Sequence, residues 1–451
     1  MTDNGNGLRV SWRDLCPWLL IFRSFGLSIS IHVLFLATVG ALLTPVGWWV
    51  AGLPFDRDTT DSSFLRVVDS NSRCPCLPPI HHVEATVTDF PAPDASVHVP
   101  YFSFPVLWYQ RFIEPFRMQF DTEVTLPKFA YLLFGGLWTL AVWAFFGGAI
   151  TRIATVQLGR DERVGLKDAL GYSCRKFWSY FAGPVLPLLA VFIVGLPTMV
   201  LGLFMMADWG VAFASVFWIL ALLGGFIMAA ILLGLTFGWP LMWGTISAEG
   251  TDAFDGLSRA YAYTFQRPLH YFFYVAVAAV FGLLCWTLVF LFSESIIALT
   301  FWAASWGSNI SETIAAERDG IARIQQIQAA ANNPTLDDDP AITMFGPHVI
   351  YWCNGLVRVI ATAFTYSYFW CVFSAIYLLL RRDVDQTEFD EVWLEDNDDR
   401  YGLPPIKPDP AGVPELAERR SADKDKSESE AQADGDSDTD HSTPSDNDES
   451  D

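Results

Sequence analysis

Charge vanishes from this chain in long stretches and returns between them. Six uncharged apolar runs cover residues 26–51, 129–150, 181–206, 209–239, 271–292 and 359–380. They are apolar all round rather than on one stripe, and each is long enough to cross a hydrocarbon layer of about 30 Å as a helix. The pattern predicts an all-α integral membrane bundle of six transmembrane helices. Trp48 and Trp49 close the first run, as an aromatic belt would.

The polar intervals have characters of their own. Residues 1–25 predict a cytoplasmic N-terminus with an interfacial helix over 12–25, where Arg13, Asp14 and Arg23 alternate with Trp, Leu and Phe. Residues 52–127 form a large polar loop with short alternating pieces. The segments 151–180 and 240–270 each predict a cytoplasmic amphipathic surface helix. Residues 293–358 predict a second outer loop with a soluble helix over 314–331, and 383–451 predict a disordered tail.

Cationic side chains near span ends resist translocation, so they assign sides. Arg9, Arg13, Arg23, Arg152, Arg160, Arg163, Lys167, Arg175, Lys176, Arg259, Arg267, Arg381 and Arg382 all gather on one side if the N-terminus is cytoplasmic. The expected setting is therefore a cell inner membrane with both termini cytoplasmic.

The two loops of that side resemble each other. Glu162 precedes Asp168 by six residues and Glu249 precedes Asp255 by six; Lys176 then matches Arg267 after four extra residues. Four residues is about one helical turn, which keeps the same face. A parallel two-fold repeat of span, surface helix and span follows. In each copy the acids fall early in the surface helix and the bases late, which complements the helix dipole; binding of a substrate, ion or partner is the alternative use. With the Gly-Gly-Ala-Ile-Thr-Arg stretch at 147–152, this layout over about 129–292 resembles bacterial multipass membrane proteins grouped as domains of unknown function. The resemblance implies a helical membrane fold and brings no catalytic residue with it.

Composition sharpens the picture at one end. The chain is 52% hydrophobic and 17% charged with a formal net charge of -22, and residues 383–451 hold 24 acidic against six basic side chains. The acidity belongs to the tail, which can dock a basic partner or simply stay solvated.

Candidate chemistry is sparse. Cys74, Cys76, His81 and His82 lie within nine residues of the first outer loop, with His98 further on. Thiolates and imidazoles suit zinc or copper, but the spacing is not that of a standard zinc module. A disulfide, with Cys353 as a further partner, and an inert cluster stay open. A metal ion there is the only cofactor the chain suggests. Glu294 and Arg358, counted along their helices, reach the same depth at the outer boundary and predict an ion pair. His32 predicts a hydrogen-bonded histidine within the first span.

No Walker loop, nucleophile elbow or zinc-protease helix is written in the chain, and no basic patch serves nucleic acid. A non-enzymatic scaffold or assembly factor is expected, with the bilayer and a protein bound through the surface helices or the tail as partners. The alternatives are a small-solute transporter or channel at the repeat interface and a metal-dependent protein using the outer Cys and His cluster.

Overall fold

The computed structural model describes residues 16–53, 118–120, 125–315, 324, 327–328, 345–394, 406–408 and 414–416. It divides into a unit over Met1–Val392 and a unit over Trp393–Asp451. The outer Cys and His cluster, most of the expected soluble helix and most of the tail lie outside the described residues.

In the first unit a 3₁₀ turn at Pro17–Leu19 leads into α1 (Leu20–Ser28) and α2 (Ile31–Gly52). Then follow α3 (Leu126–Arg160), α4 (Leu166–Arg175), α5 (Phe177–Phe204), α6 (Asp208–Glu249), α7 (Ala253–Gln266), α8 (Pro268–Ala315) and α9 (Phe345–Asp385). Six of these, α2, α3, α5, α6, α8 and α9, are long and apolar enough to cross a membrane. By length and composition the chain is a multipass membrane protein built of helices.

The helices outrun their apolar cores. The fourth run ends at Trp239, yet α6 continues to Glu249 because Thr245 and Ser247, polar by type, are wholly buried there. Likewise α8 runs on to Ala315, well past the expected end at residue 292. The break at Ile29 and Ser30 starts α2 at Ile31, so His32 sits exposed in its first turn rather than buried within the span. Three prolines lie inside α5, a density tolerated in apolar surroundings, where neighbouring groups satisfy the freed carbonyls.

Burial separates centre from rim. In α9, 83% of the apolar window is buried within the protein, whereas in α6 none is. No residue of α6 from 215 to 233 is buried, and every residue from 240 to 248 is. The half of the α5–α6 hairpin nearest its turn therefore stands clear of the other described helices, while the half farthest from the turn is built into them. Trp49, Trp209, Trp302, Trp306 and Trp352, near the other end of their helices, are all more than half exposed.

After α9 the chain turns sharply. Arg381 donates to the Glu391 carbonyl at 2.7 Å and Arg160 to the Val392 carbonyl at 3.2 Å, which straps residues 386–392 under the end of α3. Gly159 permits this, since a Cβ there would meet the Phe389 carbonyl oxygen at 2.5 Å.

In the second unit the described residues form one antiparallel ladder, β1 (Ile406–Pro408) with β2 (Pro414–Leu416), registered Ile406 to Leu416 and Lys407 to Glu415. The expectation of a tail without regular structure did not include this pair, whose prolines bound a five-residue connection.

Candidate functional site

The helices α3, α6 and α9 end at the same end of the first unit, and each ends the same way. The residue after the helix adopts a left-handed conformation: Asp161 (φ 59°), Gly250 (φ 67°) and Gln386 (φ 58°). Only one of the three is glycine. For Asp161 and Gln386 the cost of that backbone is offset by the contacts around them.

Around these caps lies a polar network with a carboxylate hub. The Glu249 Oε1 atom accepts from Arg259 Nη1 on α7 at 2.8 Å and from Tyr377 OH on α9 at 2.9 Å, and Arg381 Nε stands 3.3 Å away. The Glu249 and Arg381 side chains are only 11% and 10% exposed, against 45% for Arg259. A carboxylate in the last turn of a helix opposes the dipole, and here two guanidinium groups stand against it as counter-charges. Tyr263 donates to Asp385, which lies 3.9 Å from Arg259, and Tyr274 donates to Asp383 at 2.7 Å. Burial, and then the Asp385 carboxylate, push the Tyr263 hydroxyl well above its ordinary pKa. It remains a donor at any physiological pH.

The connectors α4 and α7 each lead from one cap to the next long helix. Lys176 and Arg267 are their C-cap residues, and Asp168 and Asp255 both lie in their first turns. Glu162 and Glu249 differ: Glu162 lies beyond the cap of α3, 55% exposed and 3.5 Å from Arg160, whereas Glu249 precedes the cap of α6. The match of Lys176 to Arg267 extends to Tyr172 and Ser173, two positions that the sequence reading overlooked. Tyr172, Ser173, Lys176 and Tyr180 recur 91 residues later as Tyr263, Thr264, Arg267 and Tyr271, and the tyrosines of both pairs are at most 2% exposed. Tyr172 reaches the Ile246 carbonyl at 2.6 Å, Tyr180 the Ser247 hydroxyl at 2.7 Å and Tyr271 the Phe237 carbonyl at 2.6 Å. Lys176 Nζ donates to the Gly250 carbonyl at 2.7 Å. Arg152, 5% exposed, donates to the Ser247 carbonyl at 2.5 Å and lies over the Tyr172 ring.

Above the network the three helices meet through rings. Trp243 of α6 stacks on Trp370 of α9 at 4.2 Å, Trp239 on Phe369 at 5.4 Å, and Trp143 of α3 on Tyr366 at 4.6 Å. Gly147 makes room, since a Cβ there would come within 2.8 Å of both Trp243 and Trp370. The glycines at 147 and 148 thus serve close packing.

At the opposite half of the bundle the structure brings Glu294 and Arg358 together in a two-pronged contact, Nε to Oε1 at 2.9 Å and Nη2 to Oε2 at 3.3 Å. Cys16, Cys174, Cys285, Cys353 and Cys371 are free thiols, Cys353 exposed. Among the described residues no three His, Cys, Asp or Glu side chains gather as a metal site; Cys74, Cys76, His81 and His82 lie outside them. One open hollow of about 590 Å³ lies between α7 and the end of α9, lined by Arg259, Tyr263, Gln266, Asp385 and Thr387 among others. Compared with known proteins, the chain matches no family model, no curated protein and no solved structure.

Proposed function

We propose that this chain is a non-enzymatic scaffold or assembly factor of a cell inner membrane, with both termini in the cytoplasm. Its body is a parallel repeat, α3–α4–α5 and α6–α7–α8, followed by α9 as a third helix of the same sense. The recurring tyrosines and the three left-handed caps support that repeat. The polar network end faces the cytoplasm, in line with the cationic residues there.

The observation that carries the scaffold reading is the filled junction. A solute path between the repeats needs a polar lining, whereas Trp143, Trp239 and Trp243 all pack against Trp370 where α3, α6 and α9 meet. The free-standing α5–α6 hairpin offers apolar side chains such as Ile219 and Phe226, 76% and 72% exposed, to another membrane protein or to lipid. The acidic tail would engage partners in the cytoplasm.

A photoreactive residue at Ile219 or Phe226 tests this in native membranes, with the purified protein assayed in parallel for solute flux in liposomes. The scaffold reading expects a discrete protein adduct and no flux above empty liposomes. Adducts to lipid alone, together with saturable flux, would replace it with the transporter reading.

A further inference from the structure

The two connectors meet the next helix end differently. In the first junction the Lys176 ammonium reaches the carbonyl of Gly250, the left-handed residue that ends α6, and lies 4.0 Å from Asp252. In the second junction the left-handed residue is Gln386 and the matching cation is Arg267. Among the described residues the Arg267 side chain meets no carboxylate or carbonyl, and it is exposed. Near this end of α9 the hollow opens instead, with Gln266, the neighbour of Arg267, in its wall.

We propose that this hollow binds a primary ammonium group, which does at the end of α9 what Lys176 does at the end of α6. The proposal rests on the repeat described under Proposed function. Three features of the wall point to that chemistry. First, the Asp385 carboxylate is one-third exposed and only loosely countered: its close partner is the neutral Tyr263 hydroxyl, while Arg259 at 3.9 Å is already committed to Glu249 at 2.8 Å. Arg381 is likewise held by Glu249. Second, the buried Thr387 hydroxyl oxygen has no hydrogen-bond partner among the described residues. Third, an ammonium is compact and carries three divergent donors, so it can serve a carboxylate and a hydroxyl together; a planar guanidinium presents its donors in one fixed fork. That difference accounts for Arg267 staying outside where Lys176 goes in.

Primary ammonium groups come from two sources at a membrane surface, a soluble amine or the headgroup of an aminophospholipid. The full chain in nanodiscs of phosphatidylcholine and phosphatidylglycerol is melted with and without ethanolamine, and again in discs in which phosphatidylethanolamine replaces the phosphatidylcholine. Choline, with equal charge and no N–H donor, is the control. Saturating ethanolamine is expected to raise Tm by about 3 °C, and choline is not. A rise in the phosphatidylethanolamine discs without one from ethanolamine assigns the lipid source within the same proposal. Asp385→Asn should abolish the shift and Thr387→Val should reduce it at least threefold, whereas Lys167→Gln, exposed on α4, should keep it. Asp385 also holds Tyr263, so Thr387→Val is the cleaner variant. No shift from either source, an equal shift with choline, or a full shift in Thr387→Val would overturn the proposal. The scaffold reading is judged separately, by adducts and flux, and survives that outcome.

Discussion

Glu249→Gln removes the charge on which two guanidinium groups and a tyrosine converge, and the exposures predict how the loss divides. Arg381 is 10% exposed at its side chain and would be left buried without its counter-charge. Breaking such a pair from one side costs about 3–5 kcal/mol, and since the amide oxygen still accepts one bond we expect about 3 kcal/mol. Arg259, 45% exposed, is screened by solvent, so Arg259→Gln should cost only about 0.5 kcal/mol. Glu249→Gln combined with Arg381→Gln should then cost less than Glu249→Gln alone, because no lone buried charge remains. Tryptophan fluorescence during thermal unfolding in detergent reads these three variants and the single Arg381→Gln against the wild type, since Trp243 and Trp370 lie at the same junction. Equal losses for Arg259→Gln and Glu249→Gln, or strictly additive losses in the double variant, would refute the hub.

At the other end, Glu294→Gln and Arg358→Gln should show coupling of about 1–3 kcal/mol in a double-mutant cycle, and additivity would mean that the pair contributes nothing. Gly147→Leu drives a side chain into Trp243 and Trp370 and should cost at least about 1–3 kcal/mol by thermal unfolding. Gly202→Leu, where a Cβ meets nothing within 4 Å, should change stability by less than about 0.5 kcal/mol. Deleting residues 421–451 should leave the melting temperature unchanged, since that segment has too few apolar residues to dock; a clear drop would show that it does.

The long apolar runs made the six membrane-length helices legible, because uncharged stretches of that length have few other uses. Their ends were not legible. The last turns of α6 read as polar, and only the packing of Trp243, Thr245 and Ser247 against α4, α5 and α9 explains why the helix goes on. The caps at Asp161 and Gln386 carry no glycine to announce them. Glu249 stood out for its spacing to Asp255, but its partners Arg259, Tyr377 and Arg381 come from two other helices, and no local pattern joins them. Tyr172 and Tyr263 did leave a trace, the 91-residue recurrence, which a search for repeated aromatic and basic positions would find. Glu294 and Arg358 could be matched in depth because both lie within long unbroken helices, where counting residues measures distance.

The most direct test of the account is the side of the membrane on which each segment lies. Single cysteines introduced at Asp161, Asp94 and Ser421 of an otherwise cysteine-free chain are treated in sealed cells with an impermeant thiol reagent. The account predicts labelling at Asp94 only, with Asp161 and Ser421 reacting after the cells are opened. Labelling of Ser421 together with Asp94 in sealed cells would contradict an even number of crossings with both ends inside.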